Sequence, residues 1–138
     1  MTRRDAPIST REYQTLADFR YALRKFLHFS EDAARASGLT PNQHQLLLVI
    51  RGWRGPRPPS ISDVAERLQL RHHSTVELVQ RAVAADLVVT TPDPLDQRRQ
   101  LLHLSRNGEL NLDALSLMHR AELQQFRRQM TDLLDLLD

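Results

Sequence analysis

The stretch Ser60–Ser105, SISDVAERLQLRHHSTVELVQRAVAADLVVTTPDPLDQRRQLLHLS, decides the fold. Ser60 followed by Asp63 has the spacing of a capping box, with aspartate in the usual Glu/Gln place. Ile61, Val64, Ala65 and Leu68 then recur at helical steps, and Gln69-Leu70 makes a turn. A second helix, from about His72 to Ala85, sets Thr75, Leu78, Val79 and Ala82 on one side and His73, Ser74, Glu77, Gln80 and Arg81 on the other. Leu87–Thr90 and Gln100–Leu104 are β-compatible runs separated by the turn-forming TPDPLDQRR. The pattern predicts a helix-turn-helix followed by a wing with an arginine-bearing tip, in a fold that is mainly α with a small two-stranded β wing.

Upstream, Tyr13, Leu16, Ala17, Leu23, Phe26 and Leu27 fall largely at three- and four-residue steps, with Phe19 and Phe29 widening the stripe. A helix from Thr10 is expected to end near Gly38, whose missing Cβ admits the left-handed conformation. Residues 1–9 are polar and read as a frayed tail. Thr40 as N-cap and Pro41 at the first position open the next helix, whose dense run Leu46–Ile50 reads as buried nearly all round and which stops at Gly52. RGWRGPRPPS is a loop, punctuated by Gly and Pro, with Trp53 as a packed anchor.

Downstream, Ser105 caps a helix that carries Leu110, Leu112, Leu115, Leu117, Met118, Leu123, Phe126, Met130, Leu133, Leu134, Leu136 and Leu137. A core this small cannot bury all of these together with the first stripe, so a second copy of the chain is expected to cover them. The organisation expected is one domain over residues 1–138, with residues 40–105 as winged helix-turn-helix and residues 10–38 and 106–138 as dimerisation helices.

Composition narrows the classes. At 138 residues with 41% hydrophobic residues the chain can bury a core unaided. The absence of cysteine excludes disulfides, Cys-ligated zinc and thiol redox sensing. No apolar leader or membrane-length run occurs, so a cytoplasmic protein without membrane contact is expected. Residues 51–106 hold nine basic against six acidic residues, residues 107–138 three against six, so the middle of the chain is its basic part. The basic set is arginine apart from Lys25, and arginine forks suit phosphate and guanine edges.

Leu39–Leu110 resembles the MarR family of winged-helix transcription regulators. The likeness rests on Leu39-Thr40 with Gln43, on Val76-Glu77-Leu78-Val79-Gln80-Arg81, on Asp96-Gln97-Arg98 at the wing tip, and on Leu104-Ser105 with Gly108. Asp86 stands where the family commonly has glycine, and Thr90 and Thr91 stand where it often has arginine. Pro92 and Pro94 should stiffen the start of the wing. The resemblance implies a homodimeric DNA-binding regulator, a repressor on a pseudo-palindromic operator. It also implies a small-molecule effector, often an aromatic or phenolic anion, held by the first and second helices and the start of the fifth with Arg or His as its partner. Control by abundance alone is the alternative.

The candidate DNA-contacting residues are Ser62, Arg71, His72, His73, Ser74, Thr75, Glu77, Gln80, Arg81, Arg98 and Arg99. His72 and His73 start the recognition helix, where backbone N–H groups can face phosphate. Arg98 reads as a minor-groove insertion with Arg99 on phosphate and Asp96 as wing support; the plain alternative is a solvated turn charge paired with Asp96. Glu77 repels phosphate, so in the groove it would accept from cytosine N4 or orient an arginine. Zinc on His72 or His73 with His44 or His103 is not expected, because the six histidines show no i, i+4 pair. No nucleophile–base set, phosphate loop or paired carboxylates stand out, so neither enzyme nor cofactor is expected. A winged-helix protein-interaction module without DNA binding is the competing reading.

Overall fold

The computed structural model describes residues 5–136. The order of elements is α1 (Thr10–Ala36), α2 (Pro41–Arg51), α3 (Ile61–Leu68), α4 (His72–Ala84), β1 (Val88–Pro92), β2 (Gln100–Leu104) and α5 (Arg106–Asp135). This is the mainly helical winged helix-turn-helix expected. The described residues sort into two compact units, one within Met1–Asp32 and Leu117–Asp138, the other Ala33–Ser116.

The second unit holds the winged helix. Its core joins Ala33, Ala34 and Leu39 to Leu46, Leu47, Val64, Val79, Ala82, Leu87, Val88, Leu102, Leu112 and Leu115. α3 packs on α2 and α4, α2 on β2, and α4 on β1. Local chemistry ends each helix. Gly38 (φ 81°) closes α1, with Leu39 N–H donating to Ala34 O at 2.9 Å and Gly38 N–H to Arg35 O at 3.0 Å. Thr40 and Gln43 form a reciprocal capping box on α2, and Ser60 and Asp63 one on α3. The family-like glutamine at 43 therefore has a local duty: its Oε1 accepts the Thr40 N–H at 3.0 Å. Gln69 takes the left-handed conformation in the turn (φ 55°).

β1 and β2 are antiparallel, with Val88 opposite Leu104 and Pro92 opposite Gln100. The first wing strand thus lies one to two residues later than the reading Leu87–Thr90, and Thr91 and Pro92 belong to it rather than to the turn. The cause is the end of α4. The chain leaves the helix through left-handed Asp86 (φ 57°), and Leu87 N–H is spent on Ala82 O at 2.9 Å. Pairing can begin only at Val88. A further pairing was not foreseen: Pro59 O accepts Leu102 N–H at 2.8 Å and Ser60 bridges Leu101, so the α2–α3 loop lies along β2 as a rudimentary third strand.

Two helix faces differ from expectation. Leu48 is exposed although its run reads as buried all round, because α2 meets α3, α4 and β2 but leaves that side to solvent. On α1, the residues turned inward are Thr15, Ala22 and Ser30 with half-buried Phe19, Phe26 and Phe29, whereas Tyr13, Leu16 and Leu27 are exposed. In this first unit Phe26 lies 5.0 Å from Phe126 between ring centroids, and buried His119 meets Phe29 edge-on at 5.2 Å and bonds Ser30 Oγ at 2.9 Å. Ser9, read as tail, caps α1 by accepting Glu12 N–H at 3.1 Å. Residues 1–4 of the tail and Leu137 lie outside the described residues.

Gly108 sits at the start of α5, where a Cβ would fall 2.1 Å from the Leu87 carbonyl oxygen. Alanine favours a helix over glycine by about 1 kcal/mol. A backbone oxygen cannot rotate away, however, so Gly108→Ala should lower unfolding free energy by a net of about 1–3 kcal/mol. Urea titration of the two proteins checks this, and unchanged stability would show that this approach is looser than described.

Candidate nucleic-acid interface

The outward face of α4 begins at Arg71, the N-cap, whose side chain makes no capping bond. The first-turn N–H groups of α4 therefore keep their donor capacity toward whatever faces them. His72 and His73 are exposed beside them, Ser74 is half-buried, and Glu77, Gln80 and Arg81 follow as exposed residues. Ser74, Glu77 and Arg81 line one wall of a groove of about 350 Å³ whose other wall is Thr40–Gln43 at the start of α2. Ser62 is exposed at the start of α3. Acid and base thus share this groove, with Glu77 one turn before Arg81.

Thr75 does not belong with these residues. It is fully buried and its Oγ1 donates to Arg71 O at 2.9 Å, since position 75 shares the inward face with Val79 and Ala82. It has no surface with which to touch a ligand.

At the wing tip, Arg98 stands 92% exposed. Asp96 supports it through one oxygen, which accepts Arg98 N–H at 3.1 Å and lies 3.4 Å from Nε. An ion pair this exposed is worth little and leaves the guanidinium available. Arg99 points elsewhere than expected for a phosphate contact: its Nη2 donates to Ser60 Oγ at 2.9 Å and lies 3.8 Å from Asp63 Oδ2. Arg99 therefore ties the wing to the cap of α3. In the ribbon, His103 Nε2 meets Thr91 Oγ1 at 2.8 Å.

Two residues that the sequence did not single out complete the wing. Asp93, whose side chain is 1% exposed, takes the guanidinium of Arg57 on Oδ1. The same oxygen accepts Leu95 N–H at 2.8 Å, and Asp93 N–H donates to Arg99 O at 3.0 Å. An Asp-Pro pair is a turn signal that could have marked position 93. Nothing local marks Arg57 as its partner.

A cleft of about 710 Å³ lies in the same unit, between the end of α2, the following loop, β2 and the start of α5. Arg51, Trp53, Arg57, His103, Glu109 and Asp113 are among its lining residues. Residues of α2 and α5 line it, and no residue of α1 does. Among the described residues, no group of three or more His, Cys, Asp or Glu is placed to hold a metal, and no helix is long and apolar enough to cross a membrane.

The Leu95 N–H and the Arg57 guanidinium hold the Asp93 carboxyl below its ordinary value of 3.8, against the opposing effect of burial. A depressed folded value means that this carboxylate's contribution to stability is complete above the unfolded value. It disappears as pH falls through the folded one. Wild type should therefore lose urea resistance below about pH 4 more steeply than Asp93→Asn. Parallel profiles for the two proteins would remove Asp93 from the acid transition.

A family model described as MarR family matches residues 37–99. No curated protein sequence matches the chain. Among solved structures, AbsC, a MarR family transcriptional regulator from Streptomyces coelicolor, is similar with a TM-score of 0.72 and 22% identity, over 93% of this chain and 84% of that one. A MepR–DNA complex from S. aureus is similar with a TM-score of 0.66 and 19% identity, over 80% and 82% of the two chains. BpsR of Bordetella bronchiseptica, in a structure concerned with regulation of its DNA binding by 6-hydroxynicotinic acid, gives 0.67 and 20%, over 96% and 95%. At these identities the structural likeness speaks for the fold.

Proposed function

We propose that the chain is a sequence-specific DNA-binding transcriptional regulator, a repressor that acts as a homodimer on a pseudo-palindromic operator in the cytoplasm; the match of residues 37–99 to a MarR family model supports this reading. The observation that carries the reading is the pairing, on one winged-helix unit, of an α4 face bearing Arg71, His72, His73, Ser74, Gln80 and Arg81 with a wing tip bearing exposed Arg98. In this reading α4 enters the major groove, Arg81 reaches a base edge or phosphate, and Arg98 enters the adjacent minor groove, where negative potential attracts a guanidinium. Glu77 either accepts from cytosine N4 or orients Arg81, one turn on along the same wall of the groove. The MepR–DNA complex supports the reading by fold alone. No catalytic chemistry is assigned.

Dimerisation is proposed from the exposed apolar residues of α1 and α5, among them Tyr13, Leu16, Leu27, Leu117 and Leu123. Light scattering at micromolar concentration should give twice the chain mass, and a monomer would refute this part. Effector release is proposed at the cleft that holds Trp53, Arg51 and His103. Regulation of BpsR by 6-hydroxynicotinic acid supports an aromatic acid as the first compound class to screen.

Glu77 in the groove and threonines at 90 and 91 favour a second reading, a protein-interaction module without DNA binding. Selection of bound duplexes from a random library, followed by affinity measured against salt, separates the two, because phosphate contacts make affinity fall steeply with salt. Arg81→Ala should weaken the selected duplex by about 1–3 kcal/mol, and Arg98→Ala should weaken binding and alter the preference for A·T-rich flanks. Equal affinity of wild type and the double variant for every duplex would leave the interaction module as the better reading.

A further inference from the structure

We propose that Arg57 is a positioning residue: through Asp93 it fixes the pose of the wing tip that carries Arg98, and so sets affinity for duplex DNA without touching the DNA. The inference rests on the DNA-binding reading above and adds to it a residue outside both the recognition helix and the wing.

The wing tip is an unusual place for a buried carboxylate. Leu95, two residues on, is 80% exposed and Arg98 is almost wholly so, yet the Asp93 side chain is 1% exposed. That one residue closes the turn from inside, through Leu95 N–H and Arg99 O, and reaches outside it to Arg57 in the α2–α3 loop. Arg57 comes from a stiff segment. Pro56, Pro58 and Pro59 flank it, and a following proline restricts the preceding residue to extended backbone. The loop then continues directly into the Pro59–Leu102 hydrogen bond and the Ser60–Leu101 bridge. The ribbon is consequently held at its middle by residues 59 and 60 and near its tip by residue 57. A two-stranded ribbon is marginal by itself. Held only by Arg99 and by residues 59 and 60 it would be freer at the Asp93–Leu95 turn, and ordering that turn on DNA would cost entropy at the moment of binding. The Arg57–Asp93 pair removes that freedom beforehand.

The competing role for Arg57 is direct contact with phosphate, and the two roles predict opposite signs for one substitution. If net charge alone mattered, Asp93→Asn would remove a negative charge beside the DNA and strengthen binding. If the pair positions the tip, the same change weakens binding.

The test uses the full chain and the duplex recovered from the random library, with affinity measured against salt and amide hydrogen exchange measured without DNA. Arg57→Ala and Asp93→Asn should each weaken binding by roughly tenfold, the scale of a lost charge-assisted hydrogen bond, and the double variant should be no weaker than either single one. Arg57→Lys, which keeps the charge but loses the fork, should fall between Arg57→Ala and wild type. In both single variants the amides of Leu95 and Arg99 should exchange faster, while those of Val64 and Val79 keep their protection and so report an intact fold. Arg98→Ala should instead leave all four protected and lower the salt slope by about one. Binding by Asp93→Asn as tight as wild type or tighter would overturn the proposal. So would loss of affinity in Arg57→Ala with the tip amides still protected and the salt slope lowered by about one, since that marks a phosphate contact. A wild type that binds no duplex would overturn the DNA reading itself. The exchange measurement tells that failure apart, because it reports the strut without DNA.

Discussion

Two adjacent carbonyls, those of Asp86 and Leu87, hold the winged helix together. Asp86 O accepts Ser105 Oγ at 2.7 Å and Asn107 Nδ2 at 3.1 Å, and Leu87 O accepts Ser105 N–H at 3.0 Å. Ser105 Oγ in turn accepts Gly108 N–H at 2.9 Å and so caps α5. The end of α4, the beginning of the wing and the start of α5 therefore meet at one point. A Cβ at position 108 has no room because the carbonyls must come this close. Asp86 adopts left-handed backbone for the same reason: only a reversal at the end of α4 turns both carbonyls toward Ser105. Aspartate accepts that conformation more readily than most side chains and less readily than glycine. Aspartate in place of glycine at position 86 is thus a local cost, and the geometry it serves is kept.

Much of this was legible, and the reason is that the determinants are local. The helix caps made by Thr40, Ser60 with Asp63, Gly38 and Ser105 each act within four residues, so residue type and spacing suffice to read them. The outward face of α4 was legible too, because helical period alone separates Gln80 and Arg81 from Val79 and Ala82. The same period places Thr75 inside, and only its polarity recommended it as a contact. What could not be read depends on partners far along the chain. The Arg57–Asp93 pair spans 36 positions and the Arg99–Ser60 bond 39. A sequence shows that an arginine is present at a wing tip but not which way it turns.

Arg98 and Arg99 make that limit concrete. They are neighbours of one chemical type, yet one stands in solvent and the other is drawn to the N-terminus of α3. The difference arises because the α2–α3 loop runs beside β2 and offers Ser60 and Asp63 at the level of Arg99. Arg98 sits in the tight turn that Arg99 N–H closes on Asp96 O at 2.9 Å, and its side chain stays beside Asp96 instead of reaching α3. In the proposed regulator the two would divide the labour of the wing, Arg99 with Arg57 setting its pose and Arg98 meeting the nucleic acid.

Helical period fixes the width of an apolar stripe but not which part of it is used within the chain. On α1 the reading is Tyr13, Leu16, Ala17, Leu23, Phe26 and Leu27, widened by Phe19 and Phe29; the structure buries Thr15, Ala22 and Ser30, half-buries Phe19, Leu23, Phe26 and Phe29, and leaves Tyr13, Leu16, Ala17 and Leu27 exposed. Small and hydroxylated residues at 15, 22 and 30 were passed over as apolar signals, although small side chains admit close approach and Thr15 satisfies its hydroxyl on Arg11 O at 3.0 Å. The aromatic cluster of Phe26, Phe29, Phe126 and His119 then occupies the wider part of the same seam. One helix thus carries two faces with different duties. The inner one is complete, its buried Ser30 hydroxyl bonded to His119. The outer one presents Tyr13, Leu16 and Leu27, and α5 presents Leu117, Met118, Leu123 and Leu134 in the same manner. Chain-internal packing does not explain why large apolar residues recur on those faces. In the proposed dimer, burial against a second copy of the chain would cover apolar surface that folding of one chain leaves in water.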